Sequence, residues 1–325
     1  MRILARQDIE KLITMREAIA AMEEVFAALT EKEAQVPDRT VLTLDRSDNS
    51  VLFMPGYLKR TGGVGLKVVS VFPTNAAKGI PIISAQIMMC DPANGEVNAI
   101  LEGGYITALR TAATTAVATK YLARGDACNL GVFGAGVQAK CQIEAHREIR
   151  NLSRVVIYDI DKTKAEALAQ HFQLLCGQSC KCSAARSPEE LVTLSDIIVT
   201  ATTSQTPVFK GDTLLKGTHL NAIGSYKPHV REVDDATIRR SRIFVDSYEH
   251  ASREAGDLII PLKTGVIGEH HILGELGELV LGRKKGRQTI DEITFFKCVG
   301  LAVQDIAIAQ RILEKAVHEN IGLVV

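Results

Sequence analysis

The chain has 325 residues and a mass of 35.2 kDa, a length that suits about two globular domains. Its 38 lysines and arginines balance 38 aspartates and glutamates, so no net field draws it to nucleic acid or to an anionic membrane, and neither is expected as a partner. Hydrophobic residues make up 46% and charged residues 23%, which excludes extensive disorder, and no apolar run reaches the ~18 residues that cross a bilayer.

The first part of the chain predicts a helix followed by a sheet. Apolar residues recur at three- and four-residue steps between positions 14 and 29, the spacing of an amphipathic helix, and Thr14 with Glu17 forms a capping box at its start. From position 41 to 101, short apolar segments are separated by turn residues. This pattern predicts a sheet built from hairpins, and the helical period returns near Thr107.

From Asn129 onward, strands and helices alternate, which is the order of a parallel, doubly wound sheet. The strand-like segments are NLGVFG, RVVIYD, DIIVTAT, THLNAIG and SRIFVDS. A last helix, from about residue 298 to 318, is expected to return to the first domain. We therefore predict an α/β protein in which residues 1–118, completed by 299–325, form an α+β domain with the hairpin-built sheet. Residues 119–298 form a Rossmann domain.

A glycine-rich loop lies between the first strand of this second domain and the helix that follows it. Gly134, Gly136 and Ala139 give the pattern G-x-G-x-x-A. The first glycine allows a tight turn, the second lets the backbone approach a pyrophosphate, and the alanine permits close packing of helix on strand. The helix amino end then faces the phosphate charge. Because of this placement, the loop predicts a dinucleotide site rather than a simple tight turn.

Asp159 ends the next strand, where a carboxylate can accept hydrogen bonds from the adenosine ribose hydroxyls. Asp161 adds a second negative charge nearby. A 2′-phosphate about 4 Å from one carboxylate loses on the order of 1 to 4 kcal/mol, and Lys162 offsets part of this repulsion. We therefore expect NAD(H) as the preferred cofactor, with NADP(H) as the alternative.

Three cationic residues of the first domain are candidates for binding an anion. Arg110 stands near the start of an Ala- and Thr-rich helix, so its guanidinium and the helix amino end can act on one substrate carboxylate. Lys67 lies in the strand-like run GLKVV, where a lysine is unusual unless its amine reaches a cavity, a partner or solvent. Arg39 can complete the trio, although composition alone favours a solvated surface position. The alternative for Arg110 is a structural ion pair with a glutamate.

Seven cysteines, an odd number, indicate reduced thiols and a cytoplasmic protein rather than a disulfide framework. The first ten residues mix charged and apolar side chains, unlike a secretory signal. Cys176, Cys180 and Cys182 have a spacing that can seed a metal site. No fourth ligand lies in register nearby, so we predict no metal and expect this segment to be a surface loop.

Several sequence blocks together resemble the ornithine cyclodeaminase and mu-crystallin family over almost the whole chain. The blocks are Gly65-Leu66-Lys67, Thr107 to Ala113, the loop GAGVQA, Asn221 to Gly224, Gly256-Asp257, Glu275 to Glu278 and the stretch from Phe296 to Asp305. The resemblance implies a homodimer whose first domain forms the dimer contact and whose Rossmann domain binds a nicotinamide cofactor. It also implies that Arg39, Lys67 and Arg110 line the site of the substrate carboxylate.

One departure from the family pattern bears on the reaction. Cyclodeaminases and alanine dehydrogenases of the family carry an aspartate two positions after Gly224, where this chain has Tyr226. A phenol with an ordinary pKa of ~10 is a poor base at neutral pH, and the segment GSYKP is similar to the imine-reducing branch. The resemblance therefore implies NAD(P)H-dependent reduction of a cyclic α-imino acid. The substrate is pyrroline-2-carboxylate or piperideine-2-carboxylate, and the product is proline or pipecolate.

Two other functions stay open at this point: ornithine cyclodeamination or an alanine-type dehydrogenation, and non-catalytic binding of cofactor and ligand, as in mu-crystallin. The candidate catalytic residues are Lys67, Arg110 and Tyr226, and the candidate substrate-binding residues are Arg39, Lys67, Arg110 and Ser225. The candidate cofactor-binding residues lie in the glycine loop and in later segments: Gly134, Ala135, Gly136, Val137, Gln138, Asp159, Thr200, Ala201, Thr202, Ile223, Gly224 and Lys297.

Overall fold

The computed structural model describes residues 1–44 and 49–325, and it divides the chain into two compact units. The first unit comprises Met1–Arg110 and Gly300–Val325, and the second comprises Thr111–Val299. The boundary at Arg110 falls inside a continuous helix, Gly103–Leu122. No turn residues mark it there, which explains why the sequence pattern placed the boundary later, at residue 118.

The regular elements of the described residues are numbered in chain order. The strands are β1 Arg2–Leu4, β2 Ala34–Gln35, β3 Thr40–Leu44, β4 Asn49–Leu58, β5 Gly63–Val71, β6 Ile83–Cys90, β7 Val97–Glu102, β8 Asn129–Phe133, β9 Arg154–Tyr158, β10 Lys181–Ala184, β11 Ile197–Thr200, β12 His219–Ala222, β13 Ser241–Val245, β14 Ile272–Glu275, β15 Ile293–Lys297 and β16 Leu323–Val324. The helices are α1 Arg6–Leu12, α2 Met15–Thr30, α3 Gly103–Leu122, α4 Val137–Ile149, α5 Lys162–Cys176, α6 Pro188–Thr193, α7 Asp235–Arg240, α8 Tyr248–Glu254, α9 Gly256–Lys263, α10 Leu276–Val280 and α11 Ala302–His318.

The first unit is built on a mixed sheet. Its strand order is β16-β1-β7-β6-β5-β4-β2, with β3 also paired to β4. Neighbouring strands are antiparallel except β1 and β7, so β4 to β7 form the predicted hairpins. Burial alternates along β4 and along most of β5. The reason is that one face of the sheet is covered by α11, against which α2 also packs.

A glycine in β4 lets α11 approach this face of the sheet closely. A Cβ on Gly56 of β4 would lie 2.9 Å from Ile306 Cδ1 and 3.1 Å from Val303 Cγ1. A larger residue than glycine at this position would therefore push the helix away from the sheet. Because α11 also carries Asp305, this packing brings a carboxylate onto the buried face of the sheet.

The capping box predicted for the first long helix is confirmed. Thr14 Oγ1 accepts a hydrogen bond from the Glu17 N–H at 3.3 Å, and Glu17 Oε2 accepts one from the Thr14 N–H at 2.9 Å. The two residues thereby satisfy two of the backbone donors that an α-helix leaves unpaired at its amino end.

The second unit is a doubly wound sheet of eight parallel strands. Their order is β10-β9-β8-β11-β12-β15-β13-β14. The chain changes direction across the sheet between β8 and β11, and ligands of such folds bind outside the carboxyl ends of the strands at this reversal. The loops after β8 and β11 therefore lie at the expected position. The predicted α/β class, a Rossmann unit with a hairpin-built α+β unit, is confirmed.

Three strands of the second sheet, β10, β14 and β15, were not predicted. They have four or five residues each, as do the strands of this sheet that were predicted, so length does not explain the difference. The expected surface loop around the cysteines is also wrong. Cys176 ends α5, Cys182 lies in β10, and both are largely buried with Cys180.

Among the described residues, none of the helices is both long and apolar enough to cross a bilayer. The seven cysteines all lie in the described ranges and form no disulfide bond.

Candidate functional site

Lys67 projects from the middle of β5 onto the buried face of the first sheet. It is in register with Met54 of β4 and Ile87 of β6, and its side chain is 2% exposed. Its amine Nζ donates a hydrogen bond to Asp305 Oδ2 on α11 at 2.6 Å. Because an isolated ammonium at this depth would be costly, the ion pair with Asp305 is what keeps a lysine there.

Asp305 joins Lys67 to Arg110. Its other oxygen, Oδ1, accepts a hydrogen bond from Arg110 Nε at 3.0 Å, and Arg110 Nη1 donates to Gln304 Oε1 at 2.8 Å. Burial alone would favour the neutral acid, but the positive charges of Arg110 and Lys67 outweigh it and lower the pKa of Asp305. Asp305 is therefore a buried carboxylate that holds two cations at fixed positions.

Gly300 supports the guanidinium of Arg110. Its φ is +82°, and a Cβ at this position would lie 2.6 Å from Arg110 Nη1. Both the positive φ and the lack of room for a side chain therefore require glycine. The Gly300 carbonyl accepts a hydrogen bond from Arg39 Nη2 at 2.6 Å. Arg39 is half-buried, which corrects the solvated surface position that composition favoured. The three predicted cations thus share one neighbourhood.

The charges around the Lys67 amine favour an anionic ligand. Burial, with the positive charges of Arg110 and Arg39, lowers the pKa of Lys67 to about 8, although Asp305 acts in the opposite direction. Two guanidiniums and one carboxylate thus act on this amine. A second carboxylate would be attracted by all three cations and could accept charge-assisted hydrogen bonds from them.

The amino end of α3 is not part of this cluster, contrary to the expectation for Arg110. The helix begins at Gly103, so Arg110 lies about two turns inside it at ~3.6 residues per turn. The N–H groups of Gly104 and Tyr105 donate to the Glu102 carboxylate at 2.7 and 2.9 Å. Glu102 therefore caps the helix, and the structural partner of Arg110 is Asp305 rather than a glutamate.

The glycine loop of the second unit has the geometry of a phosphate-binding turn. Gly134 has a φ of +96°, and Ala139 is fully buried against the sheet. α4 begins at Val137 with Gly136 as its N-cap, so no side chain caps its first N–H groups. Within the described ranges, a Cβ on Gly136 would meet no atom within 4 Å. The open backbone donors at a helix amino end fit the pyrophosphate of a dinucleotide. Val137 is 65% exposed and Gln138 is half-buried at this end of the helix.

Asp159, the expected ribose-binding residue, also holds this loop. Its Oδ2 accepts a hydrogen bond from the Ala135 N–H at 2.8 Å, and its Oδ1 accepts one from the Asp161 N–H at 2.9 Å. Each oxygen keeps a further lone pair for a ribose hydroxyl. Asp161 caps α5 by accepting the Thr163 N–H at 3.1 Å. Lys164 Nζ lies 3.5 Å from Asp161 Oδ2.

Glu232, which was not singled out from the sequence, joins the loops after β11 and β12. Its Oε1 accepts hydrogen bonds from the Thr202 N–H and hydroxyl, both at 2.8 Å. Its Oε2 accepts the Thr200 hydroxyl at 2.9 Å and the Gly224 N–H at 2.7 Å. A Cβ on Gly224 would lie 2.5 Å from Glu232 Oε1, so glycine is required for this approach. Ala201 and Ile223 lie in the same two loops, and the Ile223 N–H donates to the Thr200 carbonyl at 3.0 Å.

A buried ion pair continues this network. The Glu232 N–H donates to Asp257 Oδ1 at 2.7 Å, and Asp257 Oδ2 lies 2.7 Å from Lys297 Nζ. Lys297 Nζ also donates to the Ser225 carbonyl at 2.6 Å, and the side chains of Lys297 and Asp257 are fully buried. Lys297 thus holds the backbone after Gly224, which favours a positioning role over the direct cofactor contact expected from the sequence.

Ser225 and Tyr226 come directly after Gly224 in the chain. The Ser225 hydroxyl is buried and donates to the Val230 carbonyl at 2.6 Å, so its hydrogen is used within the segment. Tyr226 is half-buried. The GSYK segment is therefore held from both sides, by Lys297 at the Ser225 carbonyl and by the Ser225 hydroxyl at Val230.

The roles of three buried acids, Asp305, Glu232 and Asp257, were not predicted, and they differ in how far the sequence could have indicated them. Asp305 lies among the apolar residues of the last helix, and a carboxylate on an apolar helix face is a recognisable sign of a buried ion pair. Glu232 lies in a segment without a period, and Asp257 precedes an apolar run as an ordinary helix-capping acid would. No spacing rule would have connected these two acids to Lys297.

Replacing Glu232 with glutamine tests the role of this carboxylate. Each of its oxygens receives one backbone N–H, from Thr202 or from Gly224. Whichever way the amide turns, its NH2 therefore faces a donor that cannot rotate. We expect Glu232→Gln to weaken NAD+ binding by about 5- to 150-fold, the equivalent of a buried donor left unpaired at ~1–3 kcal/mol.

The measurement is the dissociation constant for NAD+ by calorimetry, with circular dichroism to verify folding. Glu190→Gln is the matched control, because Glu190 is a carboxylate of the same unit that pairs with Arg186 at the surface. Equal NAD+ affinity in Glu232→Gln and the control would contradict this role.

Comparison with known proteins agrees with this geometry. The model of the ornithine cyclodeaminase/mu-crystallin family matches residues 1–320. Delta(1)-pyrroline-2-carboxylate reductase of Bacillus cereus (strain ZK / E33L) is 38% identical over 323 residues, which cover 99% of this chain and 98% of the relative. Thermococcus litoralis Delta(1)-pyrroline-2-carboxylate reductase, solved with NADH and L-proline, matches with a TM-score of 0.97 at 43% identity over 100% of both chains. An archaeal alanine dehydrogenase dimer with bound NAD matches with a TM-score of 0.91 at 34% identity over 99% and 98%. The chain therefore belongs to the ornithine cyclodeaminase/mu-crystallin family.

Proposed function

We propose that the chain is an NAD(H)-dependent reductase of cyclic α-imino acids. It converts pyrroline-2-carboxylate, or its six-membered homologue piperideine-2-carboxylate, to proline or pipecolate. The observation that carries this proposal is the buried arrangement of Lys67 and Arg110 on Asp305, which holds two cations at fixed positions. The similarity to relatives named pyrroline-2-carboxylate reductase supports the same reaction.

In this proposal the cation cluster binds and orients the substrate. Arg110 and Lys67, with Arg39 beside them, bind the carboxylate next to the C=N bond. The pKa of Lys67 is about 8, so at neutral pH its amine holds a proton but can also release it. That property suits the group that supplies the proton to the imine nitrogen. The bound reduced nicotinamide supplies the hydride that the imine carbon receives.

The second unit provides the features that fit NAD(H). The uncapped amino end of α4 binds the pyrophosphate, and Asp159 accepts the ribose hydroxyls. Its negative charge opposes a 2′-phosphate, so NAD(H) is preferred over NADP(H). Thr200, Thr202 and Gly224, held by Glu232 at the ends of β11 and β12, lie where such folds bind the rest of the cofactor. The structures of relatives with NADH or NAD support this choice of cofactor.

Tyr226 separates this reaction from cyclodeamination. The hydrolysis and ring closure of ornithine need an acid-base group at this position, and a phenol is a poor base at neutral pH. Imine reduction asks less of the protein, because the protonated imine is already electrophilic and positioning carries much of the catalysis. We therefore retain Tyr226 as a candidate catalytic residue of a reductase.

We further propose a cytoplasmic homodimer, for which the first unit carries an apolar surface. Val41 and Leu42 of β3 are each 50% exposed, and Ile83 of β6 is 47% exposed. The strand register runs from Ile83 through Val71 and Ser50 to Thr43. Because side chains alternate along a strand, Val41 lies on the same face as Ile83, and Leu42 points to the other face at this end of the sheet. Monomers rarely leave several large apolar side chains exposed together in water. The similarity to an alanine dehydrogenase dimer also supports this assembly, and the absence of disulfides fits a reducing compartment.

Replacing Val41 with glutamate tests the dimer. Multi-angle light scattering should give twice the chain mass for the parent protein and a lower mass for Val41→Glu, because a charge in an apolar interface is unfavourable. Leu174→Glu is the control, since Leu174 is 79% exposed on the other unit. A monomeric parent protein would contradict the proposal.

A substrate panel tests the reaction. Purified protein should oxidise NADH with pyrroline-2-carboxylate or piperideine-2-carboxylate, use NADPH less well, and release no ammonia from L-ornithine. Failure with both imines alongside ammonia release from ornithine would make cyclodeamination the activity. Tight binding of cofactor and ligand without turnover of any of these compounds would favour the mu-crystallin type of function.

Arg110→Ala tests the carboxylate site within the same panel. Loss of one buried hydrogen-bonded charge costs about 3–4 kcal/mol, so kcat/KM for the imine should fall about 10²- to 10³-fold, while NAD+ affinity should change little. Arg60→Ala is the matched control, because Arg60 pairs with Glu31 and Glu33 at the surface of the same unit. Full activity of Arg110→Ala would rule out the proposed substrate site.

A further inference from the structure

Three thiols of the second unit converge at the edge of its sheet, away from the loops that fit the cofactor. Cys176 is the last residue of α5, Cys180 lies in the turn that follows, and Cys182 lies in the edge strand β10. Their sulfur atoms all lie within 4.8 Å of one another. The three residues are 8%, 4% and 9% exposed. The proposed imine reduction uses none of them.

Hydrogen bonds of the backbone and of neighbouring side chains hold this arrangement, and the Cys182 thiol donates a further, longer one to the Cys180 carbonyl at 3.9 Å. Gly177, which has a φ of +58°, follows the last residue of α5. Gln173 Oε1 accepts the Cys182 N–H at 2.8 Å, and the Ser179 hydroxyl donates to the Cys176 carbonyl at 2.6 Å. Strand pairing of Cys182 with Val155 fixes the third thiol. The triangle of sulfurs is therefore preformed, which lowers the conformational cost of binding one centre with all three.

The number of donors and their charge narrow the choice of ligand. Three sulfurs that surround one centre at ~2.3 Å lie about 4 Å apart or less, which fits sulfur atoms that are all within 4.8 Å of one another. Sulfur donors select soft centres. No further His, Cys, Asp or Glu of the described residues joins the group. A divalent ion such as zinc would lack its fourth ligand, and with three thiolates it would leave a net negative charge in a buried place.

A trivalent centre with three thiolates avoids both difficulties, because it needs only three ligands and the product is neutral. We propose that Cys176, Cys180 and Cys182 form a binding site for one trivalent thiophilic centre of the arsenous acid class. In this condensation three S–H bonds and three As–OH bonds break, three As–S bonds form, and three waters leave. No electrons are transferred.

The state of the thiols before binding agrees with this choice. Burial, with the neighbouring thiols, raises the pKa of Cys182, and burial is the main cause of the raised pKa of Cys180. Burial thus favours the neutral form of Cys180 and Cys182. A condensation that takes up thiols and releases water does not leave charge behind, whereas binding of a cation by three thiolates does.

Intact-protein mass spectrometry after one equivalent of arsenous acid and desalting is the first test. The full chain should gain the mass of one arsenic less three hydrogens, which reports three sulfur bonds. A gain that corresponds to fewer lost hydrogens, or no gain, would overturn the proposal. So would stoichiometric binding of Zn2+ by these thiols in a parallel sample that takes up no arsenic.

Cys180→Ser supplies the site-specific test, with Cys128→Ser as its control. Cys128 is a half-buried thiol of the same unit that accepts a hydrogen bond from the Ser153 hydroxyl at 3.2 Å. Loss of a group that only orients a ligand already lowers affinity by roughly tenfold or more. Loss of a direct sulfur ligand in Cys180→Ser should therefore lower the affinity for arsenous acid by at least roughly tenfold, and Cys128→Ser should leave it unchanged. Equal affinity in both variants would overturn the proposal.

A thiol count on the unaltered chain covers the case in which Cys180→Ser does not fold. After binding and denaturation under conditions that keep As–S bonds intact, three of the seven cysteines should resist alkylation. Peptide mapping should identify them as Cys176, Cys180 and Cys182. Protection of any other set would place the ligand elsewhere and contradict the assignment.

Discussion

The buried carboxylate of Asp305, between the amine of Lys67 and the guanidinium of Arg110, is the interaction on which the proposed activity depends. Two cations at these positions repel each other and lose hydration, so neither would be stable there without the carboxylate. Asp305 reaches them because glycine on β4 lets α11 lie close to the sheet. The same geometry leaves Lys67 under the influence of two guanidiniums, with a pKa of about 8. In the proposed reaction, the C-terminal helix thereby supports both the carboxylate-binding cations and the proton donor.

The second unit uses a buried acid in a comparable way. Glu232 accepts four hydrogen bonds from the loops after β11 and β12, although burial and the nearby Asp257 raise its pKa. The ion pair of Asp257 and Lys297 then links this acid to the backbone of Ser225. In each unit, a buried carboxylate fixes candidate site residues from another part of the chain. Asp305 holds Lys67 and Arg110, and Glu232 holds the backbone of Thr202 and Gly224. Rigidity of this kind is what a reaction that depends on positioning requires.

The sequence was informative where function depends on local pattern and uninformative where it depends on tertiary contact. The G-x-G-x-x-A loop, the capping box at Thr14 and the alternation of strands and helices follow from spacing alone, and the structure has them at the expected positions. Burial of Arg39 and the pairing of Arg110 with Asp305 depend on how α11 packs on the sheet. No local period reports this packing. The thiols show the same limit, because only the fold brings Cys182 of β10 to Cys176 at the end of α5.

The pH dependence of L-proline binding tests the central claim about Lys67 most directly. The carboxylate of proline stays charged throughout the neutral and weakly alkaline range, so the titrating group is on the protein. In NAD+-saturated protein, calorimetry should show constant affinity below about pH 8 and a decline of up to about tenfold per pH unit above it, as Lys67 loses its proton. In Lys67→Arg the guanidinium stays charged, so the profile should be flat. The same profile in both proteins would contradict the assignment of Lys67 as the buried, titrating cation of the substrate site.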